Sequence, residues 1–183
     1  MQRLTSVEPA QATGEARELL DATQAKMKMV PNLVKTMANS PAALKGYLAL
    51  SDALGHGRLP AKFRERLALM IAESNGCGYC ASAHTAIGKM VGLNDAELLD
   101  ARNGQASDAK MAAALTFARE VLEHRGQVRD AALDQVRQAG YTDGDIAEIV
   151  AHVALNVFTN YLNNVAQTEI DFPKVDLLNG KGE

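Results

Sequence analysis

The sequence predicts an all-α protein, and three observations carry that prediction. Ala, Leu, Glu, Lys and Met, which favour helices, recur along the whole chain. Runs of β-branched residues alternating with polar residues, the usual mark of strands, are missing. The length of 183 residues fits one domain that can bury a core without disulfides or metals. We therefore predict a single domain over residues 1–183, built as a bundle of about seven to nine helices.

Prolines delimit the first predicted helices. One helix is predicted from Gly14 to about Met27, and the Val30-Pro31-Asn32 turn follows it. Ser40-Pro41 has the form of an N-cap followed by a proline at the first helical position. It therefore opens a helix that runs to about Leu54.

The next two helices contain both cysteines. Leu59-Pro60 opens a helix that ends at Ser74-Asn75-Gly76, where the glycine favours termination. A second helix follows directly and runs to Val91, with Gly92 just beyond its end. Because the connection is so short, we expect these two helices to form an antiparallel hairpin.

The rest of the chain is predicted to be helical up to a polar tail. Asn94 and Glu97 have the spacing of a capping box, which predicts a short helix there. Three more helices are predicted, over Ser107 to about His124, Asp130 to Ala139, and Thr142 to about Val165. After Asp171-Phe172-Pro173 the chain is polar, and we expect a loose tail from about residue 174.

Composition excludes several classes of partner. The chain has 47% apolar residues and 19 basic against 22 acidic residues, a net charge of −3, so we predict no nucleic-acid partner. No apolar run reaches the roughly 18 residues of a membrane span, so we predict no membrane partner. The N-terminal residues lack the continuous apolar segment of a signal peptide. We expect a cytoplasmic protein.

The strongest motif is Cys77-Gly-Tyr-Cys80-Ala-Ser-Ala-His84, which holds both cysteines of the chain. On a helix, residues at i, i+3 and i+7 share a face, so both thiols and the imidazole point the same way. An i, i+3 pair has Cα atoms roughly 5 to 6 Å apart, which suits a disulfide. The position after Asn75-Gly76 is a helix N-terminus, which favours a thiolate. In a reducing cytosol such a pair is redox-active or metal-binding rather than a static staple.

Glu65 is the predicted partner of His84. If the hairpin is centred near Ser74-Asn75, Glu65 and His84 lie almost equally far from the centre and come level with one another. Glu65 has no basic residue four positions away, and its helical neighbours are apolar. A carboxylate there would orient the imidazole and stabilise its protonated form.

These residues resemble the AhpD-like alkylhydroperoxidase branch of the carboxymuconolactone decarboxylase superfamily. The resemblance implies an all-helical fold, assembly as a trimer or hexamer, and reduction of a hydroperoxide with electrons from an external dithiol or redox protein, without a cofactor. It implies that Cys80 attacks the peroxide, that Cys77 resolves the sulfenic acid, and that His84 with Glu65 relays the proton. Where AhpD has a second histidine, this chain has Tyr79, which can donate a hydrogen bond but is no base near neutral pH.

Other interpretations of the same residues stay open. The cysteines could pack as small hydrophobic residues, or could hold zinc with His84, although His56, His124 and His152 lack the spacing of a fourth ligand. Glu65 could pair with Lys62 on the helix surface. We interpret His152 as a satisfied core histidine. A binding or assembly protein and the decarboxylase-type activity of the wider superfamily are therefore the alternative functions, the latter ranked low because that branch does not use the cysteine pair.

Overall fold

The computed structural model of the protein describes residues 1–178, which form one all-helical domain. Within that range it has nine α-helices, one short 3-10 helix and no strand. No helix in this part of the chain has both the length and the apolar composition that a bilayer crossing requires. The 3-10 helix is Pro9–Gln11, and the α-helices are α1 Gly14–Met27, α2 Asn32–Met37, α3 Pro41–Gly55, α4 Ala61–Ser74, α5 Gly78–Met90, α6 Asp95–Arg102, α7 Ala109–Glu123, α8 Asp130–Gln138 and α9 Asp143–Ala166.

One helix, α2, is absent from the sequence prediction, which has only a turn at Val30-Pro31-Asn32. Pro31 occupies the N-cap position and has φ −59°, so it starts the helix instead of only ending the preceding one. The helix is only six residues long, and four of them, Leu33, Val34, Thr36 and Met37, are buried. Tertiary packing, which local propensity does not report, therefore stabilises it.

The predicted caps form as expected. The Ser40 side chain accepts a hydrogen bond from the Ala43 N–H at 3.3 Å, with Pro41 at the first helical position. Asn94 and Glu97 form a reciprocal capping box with hydrogen bonds of 2.9 and 3.0 Å. These side chains satisfy N–H groups that a helix start leaves unpaired.

Helix α4 lies at the centre of the domain and packs against α5, α6, α7 and α9. Every residue from Arg66 to Glu73 is buried. The two charged ends of this stretch are paired, Arg66 with Glu97 and Glu73 with Arg102. A helix buried on all sides needs such pairing, because an isolated buried charge is costly.

Three apolar clusters include residues of α4, and the smallest joins it to α6 through Leu69 and Leu98. Of the other two, one joins α4 to α7, α8 and α9 through residues such as Leu67, Leu115 and Ile149. The other joins it to α1, α2, α3 and α5, and includes Cys77 and Cys80. The cysteine pair is therefore part of the core rather than of a surface loop.

The C-terminal strap, residues 171–178, crosses back over α2 and the α4–α5 hairpin. The sequence predicts a loose tail from about residue 174, but the backbone N–H groups of residues 175 and 178 are hydrogen-bonded to the helices. Residues 179–183 lie outside the described range. The Asp171 carboxylate accepts hydrogen bonds from the Tyr79 hydroxyl and the Asn32 N–H. The Val175 N–H donates to the Ser82 hydroxyl, and the Leu178 N–H donates to the Glu73 carboxylate. The Arg102 guanidinium donates to the Asp176 carbonyl.

Candidate active site

The turn between α4 and α5 sets the geometry of the site. Gly76 has φ +63°, a left-handed conformation that closes the turn and that side chains rarely adopt. The Cys77 N–H then donates to the Ala72 carbonyl at 2.9 Å, which places Cys77 at the N-cap of α5. Helix α9 holds the turn from outside, since Asn75 donates to Asn160 at 3.0 Å and Asn164 donates to the Asn75 carbonyl at 2.9 Å.

Cys77 and Cys80 form a disulfide whose Cα atoms are 5.3 Å apart, within the separation predicted from helical spacing. The Cys77 sulfur accepts a hydrogen bond from the Cys80 N–H at 3.2 Å, so it acts as the cap of α5. The fractional exposure of Cys77 is 0% and that of Cys80 is 3%. A reactant must therefore reach these sulfurs through a cavity.

His84 and Glu65 come together as the hairpin predicts. His84 Nδ1 lies 2.8 Å from Glu65 Oε2, and both side chains are largely buried. Glu65 therefore faces inward and pairs with the imidazole, and the alternative prediction of a surface pair with Lys62 is wrong. A carboxylate on one ring nitrogen orients the ring and leaves Nε2 for proton transfer. His84 lies one turn after Cys80 on the same face of α5.

Asn163 of α9 touches the disulfide directly. Its Nδ2 donates to Cys80 Sγ at 3.3 Å, and the side chain is buried. Its Oδ1 has no hydrogen-bond partner among the described residues. When the disulfide opens, the Asn163 N–H group stabilises the thiolate form of Cys80. The sequence analysis gave Asn163 no role, because it lies far from the cysteine motif in the chain.

A cavity of about 220 Å³ lies beside the His84–Glu65 pair, and we call it the imidazole-side cavity. Helices α3, α4, α5 and α9 contribute its walls. Its lining residues are Tyr47, Ser51, Gly55, Arg64, Glu65, Ala68, His84, His152, Leu155, Asn156 and Thr159.

His152 lines this cavity, and it is not the satisfied core histidine that the sequence suggested. It is buried, and its Nε2 has no hydrogen-bond partner among the described residues. Burial lowers the pKa of His152, and the nearby Arg64 charge lowers it further, against the opposing effects of Glu148 and Glu65. His152 is therefore neutral near pH 7.

The buried polar residues of α9 carry a signal that sequence reasoning missed. His152, Asn156, Thr159, Asn160 and Asn163 recur at intervals of three or four in an otherwise apolar helix, and all are buried. Such spacing places them on one face of the helix. Buried polar groups are costly unless they serve a structural or chemical purpose, so this stripe points toward the site.

Tyr79, the remaining predicted site residue, holds the C-terminal strap. Its hydroxyl donates to Asp171 at 2.8 Å and accepts from the Leu33 N–H at 3.2 Å. Its ring packs edge-on against Phe172, with centroids 5.8 Å apart. Burial raises the pKa of Tyr79 far above its usual value, the Leu33 N–H opposes this, and Asp171 adds to it. The hydroxyl therefore stays protonated and is fully engaged by these two partners.

The zinc alternative gains no support from the arrangement of side chains. Within residues 1–178, no group of three or more His, Cys, Asp or Glu is placed to hold a metal ion. The two cysteines are bonded to each other, and the near neighbour of His84 is the single carboxylate of Glu65.

An all-helical domain with a Cys-x-x-Cys disulfide beside a histidine–glutamate pair resembles the AhpD-like class of proteins. The profile of the family described as "Carboxymuconolactone decarboxylase family" matches residues 41–124, which include the whole α4–α5 hairpin. Residues 41–124 thus match the carboxymuconolactone decarboxylase family, and the chain has an AhpD-like fold. No curated protein matches it.

Solved structures share the fold over nearly the whole chain. An alkylhydroperoxidase AhpD core, an uncharacterized peroxidase-related protein from Ralstonia eutropha JMP134, is 26% identical with a TM-score of 0.83, and the match covers 93% of this chain and 92% of that one. An uncharacterized peroxidase-related protein from Silicibacter sp. TM1040 is 22% identical with a TM-score of 0.80, covering 92% and 91%. The debrominase Bmp8, in complex with 2,3,4-tribromopyrrole, is 20% identical with a TM-score of 0.77, covering 92% and 91%.

Proposed function

We propose that the protein is a thiol-dependent peroxidase, a dithiol–disulfide oxidoreductase that reduces hydroperoxides through Cys77 and Cys80. The observation that carries this proposal is the disulfide at the start of α5 with the His84–Glu65 pair one turn further along the helix. A helix N-terminus favours a thiolate, and an oriented imidazole can move the proton. The 26% identity to a peroxidase-related protein over most of both chains adds support.

In the reduced protein, Cys80 is the attacking thiol. His84 takes its proton, and the Glu65 carboxylate stabilises the resulting imidazolium. The Cys80 thiolate attacks the peroxide, so that an S–O bond forms and the O–O bond breaks. The alkoxide leaves with the proton from His84, which gives an alcohol and a sulfenic acid on Cys80.

Cys77 completes the oxidation. Its sulfur attacks the Cys80 sulfur, the S–S bond forms, and hydroxide leaves with the Cys77 proton as water. An external dithiol then reduces the disulfide and becomes oxidised itself. The net reaction converts a hydroperoxide and a dithiol to an alcohol, water and a disulfide, so no cofactor is required.

Cysteine variants test this proposal. Cys80→Ser should abolish peroxide turnover, whereas Cys77→Ser should react once and stop at a sulfenic acid, seen by mass spectrometry as a gain of one oxygen. Wild-type protein reduced and then treated with peroxide should lose two hydrogens. If both variants turned over peroxide like wild type, the proposal would be wrong.

The same experiment separates the alternatives. Cysteines that only pack in the core predict no change of mass with peroxide, and a zinc site predicts metal retained through native mass spectrometry. A decarboxylase-type activity predicts turnover that survives both cysteine variants. The debrominase neighbour shows that this fold serves other chemistry, so brominated aromatic compounds belong in the substrate panel beside hydroperoxides.

The expected trimer or hexamer also remains a proposal. Along α9, Val150, Phe158, Tyr161 and Val165 are 41 to 62% exposed and share one face of the helix. An exposed apolar stripe of this kind is typical of an interface. Sedimentation velocity should give a mass several times that of the chain; a monomer would contradict the proposal.

A further inference from the structure

A second cavity lies beside the α4–α5 turn, and we call it the turn-side cavity. Its volume is about 420 Å³, and it is enclosed by the α4–α5 turn, the end of α9 and the C-terminal strap. Its lining includes Gly76, Gly78, Asn163, Asn164 and Lys174. No residue lines both this cavity and the imidazole-side cavity.

The turn-side cavity is lined by residues next to both cysteines. Gly76 and Gly78, the neighbours of Cys77 in the chain, form part of its wall. A Cβ atom added at Gly78 would meet nothing within 4 Å, so the wall is open there. Asn163 also lines this cavity, and its amide lies against Cys80 Sγ at 3.3 Å. Each cavity therefore has a wall residue near Cys80, His84 on the imidazole side and Asn163 on the turn side.

We propose that the turn-side cavity binds the reductant, a small polar thiol, while the peroxide reacts on the imidazole side. This inference rests on the function proposed above. Sulfurs with 0% and 3% exposure are out of reach of a thiol on a flat protein surface, whereas a slender molecule can reach them. The volume lies in the range of small-molecule sites. The amides of Asn75, Asn164 and Gln167 suit a polar ligand. Lys174 and Asp176 also line the cavity, with their charged groups 3.8 Å apart, so their charges offset one another.

The two cavities give the two sulfurs different roles in reduction. The thiolate of the reductant attacks Cys77 and forms a mixed disulfide with it, while the Cys77–Cys80 bond breaks. The electron pair goes to Cys80, where the Asn163 N–H stabilises the new thiolate as the leaving group. A second reductant thiol then attacks the reductant sulfur and forms its disulfide. Cys77 leaves as a thiolate and takes up the proton.

Gly78→Leu tests the site, because Gly78 lines the cavity and an added Cβ there meets no other described residue within 4 Å outside its own chain neighbours and helix backbone. Each half-reaction is followed separately by stopped flow: reduction of the oxidised protein by dithiothreitol or glutathione, and oxidation of the reduced protein by hydrogen peroxide. We expect Gly78→Leu to slow reduction by about tenfold or more, since a displaced reactant loses its productive geometry. Oxidation by peroxide should stay within about twofold of wild type.

Gly46→Leu is the matched control. Gly46 is also a helical glycine with nothing within 4 Å of an added Cβ, and it lies on α3 outside both cavities. It should leave both half-reactions unchanged. Thermal unfolding and a thiol count before reduction check that Gly78→Leu is folded and still has its disulfide.

The inference is overturned by reduction of Gly78→Leu at the wild-type rate, or by equal slowing of both half-reactions. A thioredoxin-type protein that reduces wild type and Gly78→Leu equally well, where small thiols reduce neither, would also overturn it. If no peroxide oxidises the reduced protein, that result contradicts the proposed function instead. The reduction experiment still decides on the cavity in that case.

Discussion

The α4–α5 hairpin and helix α9 enclose the same disulfide, yet they contribute in different ways. The hairpin supplies the sulfurs, the imidazole and the carboxylate from a stretch of twenty residues, Glu65 to His84. Helix α9 is distant in the chain and supplies the surroundings, an amide on Cys80 and a neutral histidine in the cavity wall. The groups proposed to react are local in sequence, whereas the groups proposed to tune them come close only through folding.

Two histidines, one in each element, make the same contrast. His84 on the hairpin is 24% exposed at its side chain and pairs with a carboxylate. His152 on α9 is more deeply buried, and its Nε2 has no hydrogen-bond partner within residues 1–178. A paired, accessible imidazole is suited to proton transfer, while a desolvated one resists protonation. Variants in the two elements should therefore affect different properties.

The largest effect is expected from the hairpin, at His84. His84→Asn removes the proposed base and should slow oxidation by peroxide by about a hundredfold to ten-thousandfold. Stopped-flow oxidation of the reduced protein measures this rate. His124→Asn is the control, because His124 is an exposed histidine at the end of α7. Equal rates in the two variants would remove His84 from the mechanism.

A smaller effect is expected from α9, at Asn163. Asn163→Leu removes the hydrogen bond to Cys80 and should raise the pKa of its thiol, because the thiolate loses a donor. A hydrogen bond to a charged group contributes about 1.5 to 3 kcal/mol, so peroxide oxidation should slow by about tenfold to a hundredfold. Thiolate absorbance against pH, in a Cys77→Ser background, measures the pKa.

Asn160→Leu is the matched control for that variant. Asn160 is a fully buried amide on the same face of α9, and it binds Asn75 instead of a sulfur. It should lower stability without moving the thiol titration. If Asn160→Leu shifts the titration as much as Asn163→Leu, the contact with Cys80 has no special effect.

The sequence predicted the hairpin well because its signals are local. Proline, glycine and capping residues mark where helices begin and end, and helical spacing places Cys77, Cys80 and His84 on one face. Glu65 could be added because a short turn fixes which residues of a hairpin come level. Every predicted α-helix is present in the described residues, and their bounds differ from prediction by only a few residues.

The sequence did not predict what depends on tertiary packing. Helix α2 is too short to be recognised by propensity, and its stability comes from burial. In the sequence, Asn163 and His152 are polar residues of a mainly apolar helix. Their places beside the disulfide and the cavity depend on the packing of α9 against α4 and α5. The anchoring of residues 174–178 depends on partners about seventy to a hundred residues away, at Glu73, Ser82 and Arg102.

Tyr79 lies on the hairpin, yet its hydroxyl serves the distant parts of the chain. Tyr79→Phe leaves the Leu33 N–H and Asp171 without their common partner and should lower the free energy of unfolding by about 1 to 3 kcal/mol. Urea unfolding measures this change. Tyr161→Phe is the control, since Tyr161 is exposed. A loss of peroxide rate without a loss of stability would show instead that Tyr79 takes part in the chemistry.

The smallest effect is expected from the titration of His152. Its pKa is lowered in the folded state, so as pH falls from about 7 toward 5 the unfolded chain takes up a proton that the folded protein does not. Stability then decreases as pH falls, by at most about 1.4 kcal/mol per pH unit for this one group. His152→Gln cannot titrate, so the free energy of unfolding should fall less steeply with acid. His124→Gln, an exposed control, should keep the wild-type slope; equal slopes in wild type and His152→Gln would mean that His152 is protonated in the folded protein as readily as in the unfolded chain.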